Sequence, residues 1–253
     1  MMLQIKNNIK ADFLILYRSD FIKGTLWVCL LLISFIVYSA SCIIREDASS
    51  WYFVNQMYIT LVQLTAFVII IIGSFLGTVD NDNQTFCVRL VNSNRLAVGF
   101  ARIMVIAITA VALFVSHLAI GIFFDLFSNT VEWPSLIDIT KAFSVLIVVF
   151  MWGCISYLLG FITGSLTISS SVCIGYFLME SFVDRFLPAG ILKILPVWNQ
   201  KSFLKEFFPE NEGAIAIVLN NVGDYKESAV VIFLYIAISL IAVCILERKK
   251  QYK

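Results

Sequence analysis

Of 253 residues, 60% are hydrophobic and only 14% are charged, with a mean hydropathy of +0.91 and a formal net charge of +1. An average soluble protein carries roughly 25% charged residues, so this chain lacks the side chains to clothe a water-facing globule, and its near-neutral balance offers no footing for nucleic acid. Its apolar residues instead fall in runs of about 20, the length that crosses a hydrocarbon core at 1.5 Å per residue.

Each run must be helical, because only a helix satisfies its own backbone polar groups in lipid, and the alternation of a barrel strand is absent. The expected fold class is therefore all-α and integral to the membrane. A single transmembrane domain over 1–253 would hold six spans, at 21–44, 56–78, 103–124, 141–162, 166–182 and 229–246.

The first element precedes the first span. Over 1–20, Ile5, Ile9, Phe13 and Leu16 recur at helical spacing, with Lys6, Asn7, Asn8, Lys10 and Asp12 on the other side. A helix of that kind lies in the membrane interface, although a plain basic lead-in to a span would also carry these lysines. The span at 21–44 is too long and too far from the start for a signal-peptide core.

Span two carries Gly73-x-x-x-Gly77, and span four Gly160-x-x-x-Gly164, spacings that let helices approach closely within one chain or between two copies. Between spans two and three, 80–102 is the longest inward loop. Asp80 and Asp82 stand where they would cap and charge-stabilise a short helix. Phe86, Leu90 and Val91 would line one side of it, and 92–94 would end it. The chain would then re-enter the membrane through Gly99, Phe100, Ala101 and Arg102. Such a helix suits docking into a groove on a soluble partner, and equally a plain helical connector.

Spans four and five nearly fuse, with Thr163, Gly164 and Ser165 marking the reversal. Near the end of span five, Glu180 is the main ionisable group inside a span, with Asp184 one turn on. It would sit close enough to the surface to be wet. The outer segment 184–226 holds three of the four prolines (Pro188, Pro196 and Pro209) among many apolar and aromatic residues. Short helices against the outer leaflet, or dipping back into the bundle, are expected there, with 214–219 a candidate re-entrant piece. A lid over an exit path and simple packing fit this composition equally.

Orientation follows from the placement of Lys and Arg. With the N-terminus inside, Lys6, Lys10, Arg18, Lys23, Arg89, Arg95, Arg102, Arg248, Lys249, Lys250 and Lys253 fall on the cytoplasmic side, while most acids fall outside. Both termini are expected in the cytoplasm.

Catalytic patterns are missing. There is no phosphate-binding G-x-x-x-x-G-K-[ST] and no G-x-S-x-G. His117 is the single histidine, which leaves no multi-histidine metal site. The six cysteines are scattered, without metal-ligand spacing, and read as small apolar residues. No catalytic, cofactor or metal residue is expected, and the chain reads as a non-enzyme.

The order of elements resembles the permease subunit of bacterial ABC-type exporters of the six-span class, which handle polysaccharides, drugs and antimicrobial peptides. In that family the first cytoplasmic loop is a coupling helix. Here Asp80 or Asp82, Thr85, Leu90, Asn94-Arg95 and Ala101-Arg102 match its loose pattern, while Gln84 stands where Gly is usual. In length and in its Ile, Asn and Phe content the chain looks most like lantibiotic-immunity and phenol-soluble-modulin exporters.

The resemblance implies a bacterial plasma-membrane subunit paired with a second copy or a related permease. ATP and Mg would belong to a separate ATP-binding subunit, met by Asp80, Asp82, Thr85, Phe86, Arg89, Leu90, Asn94 and Arg95. The cargo would be an amphipathic peptide or another hydrophobic molecule leaving past Glu180 and Asp184. A stand-alone membrane protein, such as an immunity or assembly factor with no ATPase, is the competing class.

Overall fold

A computed structural model of the protein describes residues 2–43, 64–79, 95–128, 136–183, 186–205 and 223–249. Among the described residues every regular element is helical. In chain order they are α1 (Met2–Arg18), α2 (Asp20–Ile43), α3 (Leu64–Val79), α4 (Arg95–Ser128), α5 (Leu136–Thr163), α6 (Leu166–Val183), α7 (Ala189–Leu192), α8 (Pro196–Lys205) and α9 (Tyr225–Lys249). Among the described residues three stretches are long and apolar enough to cross a membrane: Leu96–Ser116 of α4, Phe143–Thr163 of α5 and Tyr225–Glu247 of α9. Apolar stretches in α3 and α6 are shorter.

Helix α5 is the centre. Of its apolar stretch 61% is buried, against 17% for α9, so α5 is the post on which α4, α6, α8 and α9 pack, and α9 is peripheral. The contact of α5 with α3 is close because glycines face each other across it. A Cβ on Gly77 would lie 2.6 Å from the Tyr157 carbonyl oxygen, and one on Gly160 would lie 2.6 Å from that of Ser74. Any side chain there would push the two backbones apart. The spacing read in span two thus serves packing within the chain. That read in span four does so only in part, because Gly164 has left the helix: its φ of 64° is left-handed, and it closes α5 before Ser165 opens α6.

Ser165 and Thr163 hold this turn by local bonds. Thr163 Oγ1 accepts from the Ser165 N–H at 3.4 Å, and Ser165 Oγ accepts from the Ile168 N–H at 3.4 Å. The serines that follow return their hydroxyls to their own helix: Ser169 donates to the Ser165 carbonyl and Ser170 to that of Leu166. A polar run inside an apolar helix is satisfied without a neighbour.

The core runs through α3, α4 and α5, with Ile69, Ile70, Ile72, Leu76, Val105, Ile106, Val148 and Trp152 almost wholly enclosed. Aromatic edges join it to α6: the Phe177 ring centroid lies 5.1 Å from that of Trp152 and 5.4 Å from that of Phe67, both edge-on. Cys29, Cys154 and Cys173 are unpaired and buried among apolar neighbours.

Two sequence expectations are corrected at α1 and α4. Residues 95–102 form no separate entry to span three; α4 begins at Arg95 and runs through Gly99 without a break. Ala97, Val98, Ala101 and Arg102 are all buried there, so packing against neighbours outweighs the helix penalty of one glycine. In α1 the side expected to face water is partly the buried one. Asn8, Asp12 and Leu16, one turn apart, are covered, whereas Ile5, Ile9 and Phe13 are half-buried.

Candidate functional site

Two polar constructions stand inside this apolar bundle, one where α1, α4 and α9 pack together and one around α8.

Helix α1 lies chiefly along α4, and α9 packs on α4 as well. Each contributes a fully enclosed charge: Asp12 on α1 (0% exposed), Arg102 on α4 (1%) and Glu247 on α9 (0%). The Cγ of Glu247 lies 3.7 Å from where a Gly99 Cβ would stand. Glu247 therefore packs beside Gly99 on α4, one turn before Arg102, at a distance where even a Cβ would make ordinary contact. Each of the three charged side chains takes part in polar or electrostatic interactions of its own. An isolated charge buried in an apolar interior is strongly unfavourable, and here two acids and one base are enclosed on three helices, with α1 and α9 each packed on α4. Beside them, Phe100, Ile103, Leu240, Ile241, Cys244 and Ile245 line an open apolar cavity of about 360 Å3 between α4 and α9.

The second construction begins at Pro196, the first residue of α8, where a missing N–H costs nothing. Leu195 precedes it and has no side chain to cap the helix. Glu180 of α6 does so from outside: its Oε1 accepts the Trp198 N–H at 2.7 Å. A carboxylate at a helix N-terminus meets both the free N–H groups and the positive end of the dipole. Glu180 is 4% exposed, so the expectation of a wet carboxylate is overturned. It is spent on holding α8.

Further along α8, Gln200 Oε1 accepts from Trp152 Nε1 at 2.8 Å, with both groups buried. Trp152 lies nine residues from Phe143 and eleven from Thr163, roughly 13 and 16 Å along the axis. It is thus near the midpoint of a span-length stretch, and α8 reaches that depth. The remaining bonds tie α7–α8 to α9. Tyr235 donates to the Ile194 carbonyl at 2.7 Å, and Lys193 pairs with Glu227 at 2.9 Å on the surface. The Gly223 N–H donates to Ser202 Oγ at 2.9 Å, and Phe203 stacks on Tyr225 with centroids 5.2 Å apart. The segment after α6 therefore dips back into the bundle, one of the two arrangements its composition allowed.

Of the residues singled out in the sequence, Asp80, Asp82, Thr85, Phe86, Arg89, Leu90 and Asn94 lie outside the described residues. So do Asp184 and 214–219, and so does the side chain of His117. Arg95 is the first residue of α4, and Glu180 caps α8. Sequence reasoning missed Asp12, Glu247, Trp152 and Gln200 as partners in packing. Nothing in the sequence singled out Asp12, which stood with the polar side of α1. No protein-family model matches the chain, and no curated protein matches it at a significant level.

Proposed function

We propose that the chain is the permease subunit of an ATP-driven exporter, with six membrane spans and both termini in the cytoplasm, moving an amphipathic peptide or similar hydrophobic cargo. The observation that carries this reading is the enclosed start of α4. It begins at Arg95, within the 80–102 segment that resembles a coupling segment. Ala97, Val98, Ala101 and Arg102 are clasped there by neighbouring helices. A push on 80–94 would be delivered to the first turns of α4. The charges of Asp12, Arg102 and Glu247 would pass it to α1 and α9 instead of letting the helices slip past one another.

In this reading two ATP-binding subunits close on ATP, and the two permease copies rock so that a shared cavity opens outward. Helix α8, held at mid-depth by Gln200 and Glu180, would be a re-entrant lid on the outer side. The cargo's apolar face would be met by aromatic and aliphatic walls. The competing reading, a stand-alone immunity or assembly factor, uses the same bundle without a partner at 80–94.

Purification of the tagged chain from its native membrane in mild detergent separates the two. A stoichiometric ATP-binding subunit, lost when Arg89 and Arg95 are both replaced by Glu, supports the exporter. A chain that purifies alone across a series of detergent strengths overturns it.

A further inference from the structure

Helix α1 has an outward face that its sequence pattern did not announce. Opposite the buried row of Asn8, Asp12 and Leu16, the exposed residues are Leu3, Lys6, Asn7, Lys10, Leu14, Tyr17 and Arg18, with Met2 exposed at the helix start. At 100° per residue, Lys6, Tyr17, Lys10, Leu3 and Leu14 fall within roughly one quarter of the helix surface. That arc contains three basic residues when Arg18 at its margin is included, together with three apolar or aromatic ones and no acid. The nearest exposed acid, Asp20, is paired with Lys23 at 2.9 Å, and Lys23 also lies 5.4 Å over the Tyr17 ring.

Helix α2 follows after the single residue Ser19. Phe21, Trp27, Val28, Leu31, Leu32 and Phe35 are all exposed there, an apolar surface that water would not tolerate and hydrocarbon would. If that surface is in the acyl layer, the arc of α1 one helix earlier stands at headgroup level. Tyr17 and Trp27 then sit where aromatic side chains anchor at a membrane boundary.

We propose that this arc of α1 binds anionic phospholipid headgroups. Lys6, Lys10 and Arg18 pair with headgroup phosphates, while Leu3, Leu14 and Tyr17 enter the upper acyl region. The charge balance selects acidic over zwitterionic lipid, because each basic residue at a membrane surface gains from the negative potential only where acidic lipid supplies it. Because the opposite side of α1 is bound to α4, the lipid composition of that leaflet would act on the packing around the buried Asp12 and Arg102. The proposal rests on the membrane-embedded reading and is independent of whether an ATPase partner exists.

The test is native mass spectrometry of the full chain purified in neutral detergent and offered an equimolar mixture of phosphatidylglycerol and phosphatidylcholine. The expected result is preferential retention of phosphatidylglycerol. The preference should fall about fivefold for each of Lys6→Gln, Lys10→Gln and Arg18→Gln and weaken in high salt, with unchanged thermal unfolding. Lys193→Gln with Lys226→Gln, which changes exposed lysines elsewhere, should leave it intact. Equal retention of both lipids, or equal loss in the Lys193/Lys226 variant, overturns the proposal. So does displacement of the lipid by inorganic phosphate, which would mark a site for free anions. An alkaline wash of native membranes separates the premises: a chain that is extracted loses the embedded reading itself, and one that stays while showing no lipid preference loses only this proposal.

Discussion

The bond between Trp152 and Gln200 is where the outer segment commits itself to the interior, and it can be isolated by a double-mutant cycle. Gln200→Leu keeps the bulk but leaves the Trp152 Nε1–H buried without an acceptor. That loss should cost about 1–3 kcal/mol, the usual range for a stranded buried donor. Trp152→Phe strands the Gln200 amide in the same way and loses part of the edge contact with Phe177, whose centroid is 5.1 Å away. In the double variant neither polar group remains to be stranded. The sum of the two single losses should therefore exceed the double loss by about 1–3 kcal/mol. Cys154 and Cys173 are buried in the same core, so labelling by a thiol-reactive fluorophore during thermal or detergent unfolding reports the loss of packing around them. Additive losses, or a Gln200→Leu change below about 0.5 kcal/mol, would refute the view that α8 is pinned at that depth by this bond.

Three further outcomes follow from the geometry. Gly77→Ala should destabilise the chain by about 1–3 kcal/mol, because its Cβ would lie 2.6 Å from the Tyr157 carbonyl oxygen. Gly175→Ala, with nothing within 4 Å, should instead be neutral or stabilising by up to about 1 kcal/mol, as expected for an open helix interior. Glu180→Ala should cost about 1–2 kcal/mol as a lost cap and increase protease cleavage near α8, while Glu180→Gln, which still offers an oxygen to the Trp198 N–H, should cost less. Arg102→Ala should cost about 3–5 kcal/mol, seen as loss of monodisperse protein on size-exclusion chromatography. Asp12→Asn, Arg102→Met and Glu247→Gln combined should regain most of it; a triple variant no better than Arg102→Ala would mean that these charges do not act together.

Much of the helix order was legible because hydrocarbon imposes a simple rule on composition. Helix α2 falls within a residue of the expected 21–44 span at each end, and α5 closes at Thr163 with the reversal at Gly164 as read. What stayed hidden depends on contacts between distant parts of the chain. In α1 the apolar periodicity was real, but the buried face is rotated from it by roughly 60°, toward Asn8 and Asp12. Charges on α4 and α9, far along the sequence, accompany that burial, and no local window contains them. The start of α4 was placed late for a related reason: 95–102 was read as part of the inward segment, while the burial of Ala97, Val98, Ala101 and Arg102 comes from helices distant in sequence. Glu180 was noticed as an ionisable group in an apolar helix, yet its role as a cap needed Pro196 and Trp198 brought beside it from sixteen and eighteen residues away.

The turn between α5 and α6 also bears on how the chain is made. With only Gly164 and Ser165 between them, the two helices form a tight hairpin whose arms would enter a bilayer together. Helix α6, shorter and carrying a row of three serines, is a poor candidate to partition by itself, whereas α5 is long and apolar. Inserted as a hairpin, the pair shares the stronger helix's preference for lipid. The seat of α8 at Trp152 of α5 and Glu180 of α6 draws on both arms of that hairpin, so α8 can dock only once the two arms stand side by side.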